Sequence, residues 1–167
     1  SLGSRQTVLD SSWDLIRSNI KSENITVVPG FYGSDKNGQI KTFSRGGSDI
    51  TGALLAKAFS AGKYENWTDV SGLLVTDPRI VKNPHPIKNV SYREIRELAY
   101  SGANVLHDEA IAPCQELGIP IQIKNTNRPE DEGTIIGSKV KTKDFFGKES
   151  LELKATYNPK VGKDIWY

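Results

Sequence analysis

Apolar positions along the chain alternate between helical and extended spacing. An amphipathic helix over residues 6–21 is predicted by five apolar positions at helical spacing: Val8, Leu9, Trp13, Ile16 and Ile20. The β-branched run Ile25-Thr-Val-Val28, closed by Pro29-Gly30, predicts a buried strand that leads into a loop. Asp35-Lys-Asn-Gly38 then predicts a tight turn between two extended segments.

A glycine-rich loop precedes the second predicted helix. Arg45-Gly-Gly-Ser-Asp49 is followed by a run of good helix formers over residues 50–59. Ser48 or Asp49 can cap the free N–H groups at the start of this helix. The sequence therefore predicts a loop that leads directly into a helix N-terminus.

The rest of the chain continues the alternation of helices and strands. Ser91-Tyr-Arg-Glu94 is a capping box, which opens a helix that has Ile95, Leu98 and Ala99 on one face and ends at Gly102. The other predicted elements are extended segments at 64–67 and 72–75, a rigid connector at 84–86, a helix at 108–117, and strands at 119–124 and 133–136. This alternation indicates an α/β sheet with helices on its faces.

The last part of the chain has a weaker pattern, in which residues 151–154 form one possible strand. We therefore divide the chain into a domain of residues 1–137 and an unassigned tail of residues 138–167. The absence of methionine, including an initiator, leads us to expect that the chain is a piece of a longer protein.

Composition and charge exclude several classes of protein. The 167 residues are 37% hydrophobic and 25% charged, which suits one compact core. The net charge is only +2 and its positive excess lies in the tail, so we expect no nucleic-acid partner. No apolar run approaches the ~20 residues that span a bilayer, so we expect no membrane association. The lone cysteine, Cys114, excludes an intrachain disulfide framework and predicts a cytoplasmic protein.

Arg45-Gly-Gly-Ser-Asp49 is the stretch most informative about chemistry. Glycines before a helix let backbone N–H groups approach an anion, and the helix dipole favours its negative charge. The adjacent arginine can bind a carboxylate or a phosphate through two parallel hydrogen bonds. An ordinary capped helix with an exposed arginine fits these five residues equally well, so the pentapeptide alone does not decide.

Hydroxyl and carboxylate side chains also follow the predicted extended segments. Thr68-Asp-Val-Ser-Gly72 and Thr76-Asp-Pro-Arg79 come at strand ends, which is where open α/β sheets bind ligands. Turn chemistry is the alternative, and it is favoured for Asp77-Pro78. His85 and His107 fit structural roles better than metal ligation, and the chain has no H-E-x-x-H, P-loop or G-x-G-x-x-G sequence. The sequence therefore predicts no metal site.

A succession of motifs over residues 25–136 resembles, in order, the motifs of the aspartokinases. They are Val28-Pro-Gly-Phe-Tyr-Gly33, Phe43-Ser-Arg-Gly-Gly-Ser-Asp49, Trp67-Thr-Asp-Val-Ser-Gly72, Thr76-Asp-Pro-Arg79, Glu97-Leu-Ala-Tyr-Ser-Gly-Ala103, Val105-Leu-His107 and Lys124-Asn-Thr126. On this resemblance the chain is the C-terminal, nucleotide-binding part of an aspartokinase catalytic domain. The resemblance implies the amino-acid kinase fold, a three-layer α/β/α sandwich with ATP bound over this part of the sheet.

The resemblance also implies roles for individual residues. Those that match the aspartate-binding positions are Phe31, Arg45, Gly46, Gly47 and Ser48. Asp49, the implied catalytic residue, matches an aspartate that organises the lysines of the site rather than acting as a base. The implied nucleotide-binding residues are Thr68 and Asp69 for the adenosine, Leu74 beside the adenine, and Arg79, Asn104 and Val105. These roles agree with phosphoryl transfer, in which positioning and charge neutralisation dominate.

The chain also departs from the aspartokinase pattern. Asn104 stands where a lysine is common, and Leu74 replaces an aromatic residue, so both changes bear on the strength of nucleotide binding. The Lys-Phe-Gly-Gly-Thr segment that surrounds the phosphates in this family has no counterpart in the 167 residues, and residues 137–167 do not follow the family's regulatory domains. The chain alone is therefore expected to be inactive or nearly so.

The resemblance implies ATP-dependent phosphorylation of the β-carboxylate of L-aspartate to 4-phospho-L-aspartate. This reaction is the first step of the lysine, threonine and methionine branch of amino-acid biosynthesis. The implied cofactors and partners are ATP, Mg²⁺ carried by the nucleotide, the missing N-terminal part of the kinase domain, regulatory domains, and further copies in a homo-oligomer. Kinases of glutamate, acetylglutamate or UMP are the nearest alternative enzymes. A non-catalytic nucleotide-binding or interaction module is the alternative of another class.

Overall fold

A computed structural model describes the secondary structure of most of the first 138 residues, namely 8, 10–20, 25–43, 46–77, 79–100, 106 and 108–138. The helices among them are α1 (Asp10–Asn19), α2 (Gly47–Ala58), α3 (Tyr92–Tyr100) and α4 (Asp108–Leu117). The strands are β1 (Tyr32–Ser34), β2 (Ile40–Thr42), β3 (Tyr64–Thr68), β4 (Leu73–Leu74), β5 (Pro86–Ile87), β6 (Asn89–Ser91), β7 (Ile121–Asn125) and β8 (Thr134–Gly137). The predicted alternation of helices and strands, and with it the α/β class, is confirmed.

Four strands form one mixed sheet in the order β3, β7, β8, β6. β3 and β7 are parallel, with Tyr64 opposite Ile121 and Thr68 opposite Asn125. β7 and β8 are antiparallel, whereas β8 and β6 are parallel. As a result β3 and β7 end at the same edge of the sheet, and β8 begins near that edge.

The core lies between one face of this sheet and the helices α2 and α4, which pack against each other. Residues alternate along β7, so that Ile121 and Ile123 are fully buried while Gln122 between them is half-buried. Helix α4 adds Ile111 and Cys114 to the same core. Burial raises the pKa of the Cys114 thiol to about 12, so this cysteine is a neutral core residue.

The predicted turn after β1 is confirmed. β1 and β2 form an antiparallel hairpin, and the carboxylate of Asp35 accepts hydrogen bonds from the backbone N–H groups of Asn37 and Gln39. Gly38 has a φ of 76°, which the turn requires. The two backbone donors lower the pKa of the Asp35 carboxyl.

The predicted capping box of α3 is also confirmed. The Glu94 carboxylate accepts hydrogen bonds from the backbone N–H and the hydroxyl of Ser91, at 2.8 and 2.6 Å. In return, the Ser91 hydroxyl accepts from the backbone N–H of Glu94 at 3.2 Å. These bonds to the charged form lower the pKa of Glu94. The predicted end of this helix at Gly102 lies outside the described residues.

Two predictions about the strands and their connections are wrong. Residues 25–28 are not a buried strand, because none of the described strands pairs with them, and Ile25 and Val27 are 65% and 59% exposed. Residues 84–86 are not only a connector, since Pro86 pairs with Leu74 at the start of β5. The possible strand at 151–154 lies outside the described residues. Within the part of the chain that is described, no helix has the length and apolar character needed to cross a membrane.

Candidate functional site

The N-terminus of α2 is the first part of the candidate site. Gly46 precedes the helix in the left-handed conformation, with a φ of 62°, and its carbonyl accepts from the N–H of Ile50 at 3.0 Å. The N-cap residue is Gly46, which makes no side-chain cap, so the prediction that Ser48 or Asp49 is the cap is wrong. The first-turn N–H groups, which include those of Gly47 and Ser48, receive no hydrogen bond from a side chain of the N-cap residue. Arg45 lies outside the described residues.

Phe31 lies directly against this helix N-terminus. Its backbone N–H donates to the hydroxyl of Thr51 at 3.2 Å, and that hydroxyl donates to the carbonyl of Gly47 at 2.7 Å. A Cβ added at Gly47 would lie 2.7 Å from the Phe31 ring and 2.9 Å from its Cα. Gly47 is therefore needed for the close approach of Phe31. The structure thus brings together two residues that the resemblance assigns to aspartate binding.

The side chain of Asp49 points from the first turn of α2 towards β3. Its Oδ1 accepts a hydrogen bond from the Nδ2 of Asn66 at 2.9 Å. The Tyr64 hydroxyl donates to the backbone carbonyl of Asp49 at 3.3 Å and accepts from Asn66 at 3.1 Å. Burial raises the pKa of the Tyr64 hydroxyl far above its ordinary value, which keeps it protonated.

Sequence reasoning missed Asn66. The available signal was its position in β3, since it shares a face with Tyr64 in a strand that the sequence predicts. A polar residue on the buried face of a strand needs a hydrogen-bond partner. The identity of that partner could not be read from the sequence, because Asp49 is 17 positions away on another element.

The end of β3 forms the second part of the candidate site. The hydroxyl of Thr68 donates to the carboxylate of Asp69 at 3.2 Å. The Thr68 carbonyl accepts from the backbone N–H of Thr126 at 2.8 Å, and the Asn125 amide donates to the Ser71 hydroxyl at 2.9 Å. The loop after β3 is therefore tied to the end of β7. This edge of two parallel strands is where open α/β sheets bind ligands.

A single hydroxyl connects the β4–β5 hairpin to the sheet. Thr134, which is fully buried, accepts from the backbone N–H of Leu73 at 2.8 Å and donates to the carbonyl of Ile87 at 2.5 Å. Leu74, next to Leu73, is 40% exposed and pairs with Pro86. The side chain of Leu74 is thus available for contact.

Arg79 and Asp77 form an exposed turn. The Asp77 carboxylate accepts from the backbone N–H of Arg79 at 2.8 Å and from its guanidinium at 2.6 Å. These hydrogen bonds lower the pKa of Asp77 and raise that of Arg79. The turn chemistry that the sequence favours for Asp77 is therefore present. Asn104 and Val105 lie outside the described residues.

The two parts of the site are connected through β3. Asp49, in the first turn of α2, reaches Asn66 in the middle of this strand, two residues before Thr68. Residues two apart in a strand share a face and are roughly 6.6–6.8 Å apart. Within the described residues, no group of three or more His, Cys, Asp and Glu side chains could hold a metal ion.

Comparison with known proteins identifies the family. The sequence model described as "Amino acid kinase family" matches residues 2–125. The chain belongs to the amino acid kinase family. The motifs that predict this membership lie in the matched region, apart from the end of the last one.

Relatives of this amino acid kinase chain include aspartokinases. Aspartokinase 3 of Bacillus subtilis (strain 168) is 47% identical over 137 residues, which are 82% of the chain and 30% of that protein. The crystal structure of aspartate kinase from Clostridium acetobutylicum matches 84% of the chain and 31% of its own, at 54% identity and a TM-score of 0.72. These relatives confirm the resemblance to aspartokinases and the predicted amino-acid kinase fold.

A second solved structure contains ligands. Escherichia coli aspartokinase III, in complex with aspartate and ADP in its R-state, has 39% identity and a TM-score of 0.62, and it matches 68% of this chain and 25% of its own. The amino acid kinase chain described here thus spans about a third or less of the length of the relatives it matches.

Proposed function

We propose that this chain is the C-terminal, nucleotide-binding part of an aspartokinase catalytic domain. The protein that contains it would transfer the γ-phosphoryl group of ATP to the β-carboxylate of L-aspartate, the first step of the lysine, threonine and methionine branch. The observation that supports this most is the hydrogen bond from Asn66 to Asp49. It connects the first turn of α2 to β3 two residues before Thr68, in a chain that is 47% identical over 137 residues to an aspartokinase.

The α2 N-terminus is proposed as the aspartate side of the site. Its N-cap residue, Gly46, provides no side-chain cap, and the first-turn N–H groups and the helix dipole favour an anion such as a carboxylate. Phe31 limits the space beside Gly47, which suits a small substrate. Arg45, immediately before Gly46, would add a planar guanidinium that pairs with a carboxylate.

The end of β3 is proposed as the nucleotide side. Thr68 and Asp69 offer a hydroxyl and a carboxylate, which can hydrogen-bond to adenosine. Leu74 offers exposed apolar surface to the adenine, and Arg79, Asn104 and Val105 complete the proposed contacts. Mg²⁺ would enter with the phosphates of ATP.

The proposed reaction forms a bond between a β-carboxylate oxygen of aspartate and the γ-phosphorus. The bond from that phosphorus to the β,γ-bridging oxygen breaks, and its electrons leave with ADP. In this chain, Asp49 would position cationic groups that neutralise the transferred phosphoryl group. The rest of the kinase domain, the regulatory domains and the homo-oligomer belong to the same proposal. A cytoplasmic location is also part of this proposal, and the buried free thiol of Cys114 supports it.

The test is an assay of ADP formation by the complete protein, with four phosphoryl acceptors compared at equal concentration. L-aspartate should give the highest kcat/KM, ahead of glutamate, acetylglutamate and UMP. Preference for one of the other acceptors would reassign the enzyme within the family. Nucleotide binding without ADP formation from any acceptor would favour a non-catalytic binding module.

A further inference from the structure

Asn66 is a buried amide with defined partners. The residue is 7% exposed, and an amide in such a position costs free energy unless its hydrogen-bonding groups are satisfied. Its Nδ2 donates both of its hydrogens, one to the Asp49 carboxylate at 2.9 Å and one to the Tyr64 hydroxyl at 3.1 Å. Asn66 therefore connects β3 directly to the side chain of Asp49.

The residues on either end of this connection have little freedom. Asp49 belongs to the first turn of α2, and its backbone carbonyl accepts from the Tyr64 hydroxyl at 3.3 Å. A Cβ at Gly52, one turn later, would lie 2.6 Å from the same hydroxyl, so α2 and β3 are in close contact here. A hydrogen bond to a charged carboxylate is about twice as strong as a neutral one, so it favours the Asp49 rotamer that makes it. Asn66 thus restrains the direction of this carboxylate.

The amide of Asn66 can donate a hydrogen bond to Asp49, which aspartate and leucine, residues of similar size, cannot do at neutral pH. An ionised Asp49 can only accept hydrogen bonds, so an aspartate at position 66 would repel it and a leucine would leave its Oδ1 without this donor. Asn66 also shares its face of β3 with Thr68, two residues later. It thereby links the proposed aspartate side to the proposed nucleotide side.

We propose that Asn66 is a positioning residue that fixes the Asp49 carboxylate relative to the end of β3. This inference rests on the proposed function. Loss of the Asn66 donor lets Asp49 rotate, so that the cationic groups it orients no longer match the charge of the transition state. In this role the effect falls on kcat and not on the binding of either substrate, because both donors of Asn66 are used by Asp49 and Tyr64.

The test uses the complete protein and compares Asn66→Leu with a matched control, Gln122→Leu. Gln122 is an amide on the neighbouring strand, opposite Glu65 and on the other face of the sheet, where it accepts from Lys63 at 2.7 Å. Asn66→Leu should lower kcat by about tenfold or more, the effect of one hydrogen bond to a charged group. Both KM values should stay within about twofold. Gln122→Leu should leave kcat unchanged.

A second variant, Asn66→Asp, provides a pH readout with the same side-chain shape. At a pH high enough to ionise both Asp49 and the new aspartate, the two carboxylates repel each other and Asp49 is displaced. At lower pH the pair shares one proton and the hydrogen bond returns. The activity of Asn66→Asp relative to wild type should therefore rise as the pH falls, whereas a purely structural role predicts a ratio that does not rise.

The outcomes separate the inference from the proposed function. If wild type forms no ADP with aspartate, the proposed function is wrong and this role of Asn66 falls with it. If wild type is active but Asn66→Leu keeps its kcat, or loses no more than Gln122→Leu, only the positioning role is overturned. A change in the aspartate KM alone would also overturn it, since that result places Asn66 in binding.

Discussion

Gly46 and Gly47 are adjacent, and a glycine is required at each position for a different physical reason. Gly46 adopts a positive φ of 62°, which other residues adopt at a cost of roughly 1–2 kcal/mol. Gly47 is needed because the Phe31 ring and backbone lie where its side chain would be. The sequence predicts that glycines open this helix, but only the structure distinguishes the two reasons. Each glycine therefore has its own expected response to substitution.

Gly47→Ala should displace Phe31 and lower the stability of the protein. The added Cβ would lie 2.7 Å from the Phe31 ring, an overlap that typically costs about 1–3 kcal/mol. We expect a lower thermal midpoint and, if Phe31 borders the aspartate site, a higher aspartate KM. The matched control is Gly33→Ala, where an added Cβ meets nothing within 4 Å. Equal effects of both substitutions would contradict the specific contact with Phe31.

Arg45→Lys should raise the aspartate KM of the complete protein with little change for ATP. A guanidinium can pair with a carboxylate through two parallel hydrogen bonds, which an ammonium group cannot reproduce. Steady-state kinetics with each substrate varied in turn measures the two KM values. Arg128→Lys, at an exposed arginine that pairs with Asp131, is the control and should change neither. A raised ATP KM with an unchanged aspartate KM would assign Arg45 to the nucleotide.

At the scale of elements, the sequence predicts those features that depend on interactions between residues close together in the chain. The start of α3 is predictable because the two partners of its cap, Ser91 and Glu94, lie within one turn of each other. The strand β6 was not predicted, because its three residues are defined by pairing with β8 more than 40 positions later. Residues 25–28 have strand composition but lack a partner among the described strands. Composition therefore predicts the tendency to form a strand, and pairing decides the outcome.

The α3 cap should weaken as the pH falls. The pKa of Glu94 is lowered from 4.5 by its bonds to Ser91, so the cap stabilises α3 fully above that pH and is lost as the pH falls through the lowered pKa. Glu94→Gln should therefore reduce the hydrogen-exchange protection of residues 92–100 at pH 7, and the difference from wild type should shrink at acid pH. Glu97→Gln, on the same helix and paired with Arg93, is the control. A difference that grows towards acid pH would contradict the assigned role.

For the whole molecule, the exposed apolar side chains are the main departure from an ordinary domain surface. Leu15, Ile25, Val27 and Ile40 are all more than half exposed. The chain also spans only about a third of the length of its relatives. We therefore expect further chain to cover part of this surface in the complete protein.

The 167-residue chain alone should lack kinase activity. Its residues include no Lys-Phe-Gly-Gly-Thr segment, and the resemblance to aspartokinases implies that this segment supplies the phosphate contacts on which phosphoryl transfer depends. The measurement is aspartate-dependent ADP release by the chain and by the complete protein, in parallel. Release by the chain at a rate comparable to the complete protein would contradict the need for a missing segment.

The exposure of Ile25 and Val27 also affects how the chain behaves by itself. A β-branched segment that pairs with none of the described strands and has exposed isoleucine and valine is a template on which another polypeptide can add a strand. In a concentrated sample of the isolated chain, the nearest polypeptide is another copy of the same sequence. The 167 residues by themselves should thus self-associate as their concentration rises, and their solubility should improve when Val27 is replaced by lysine.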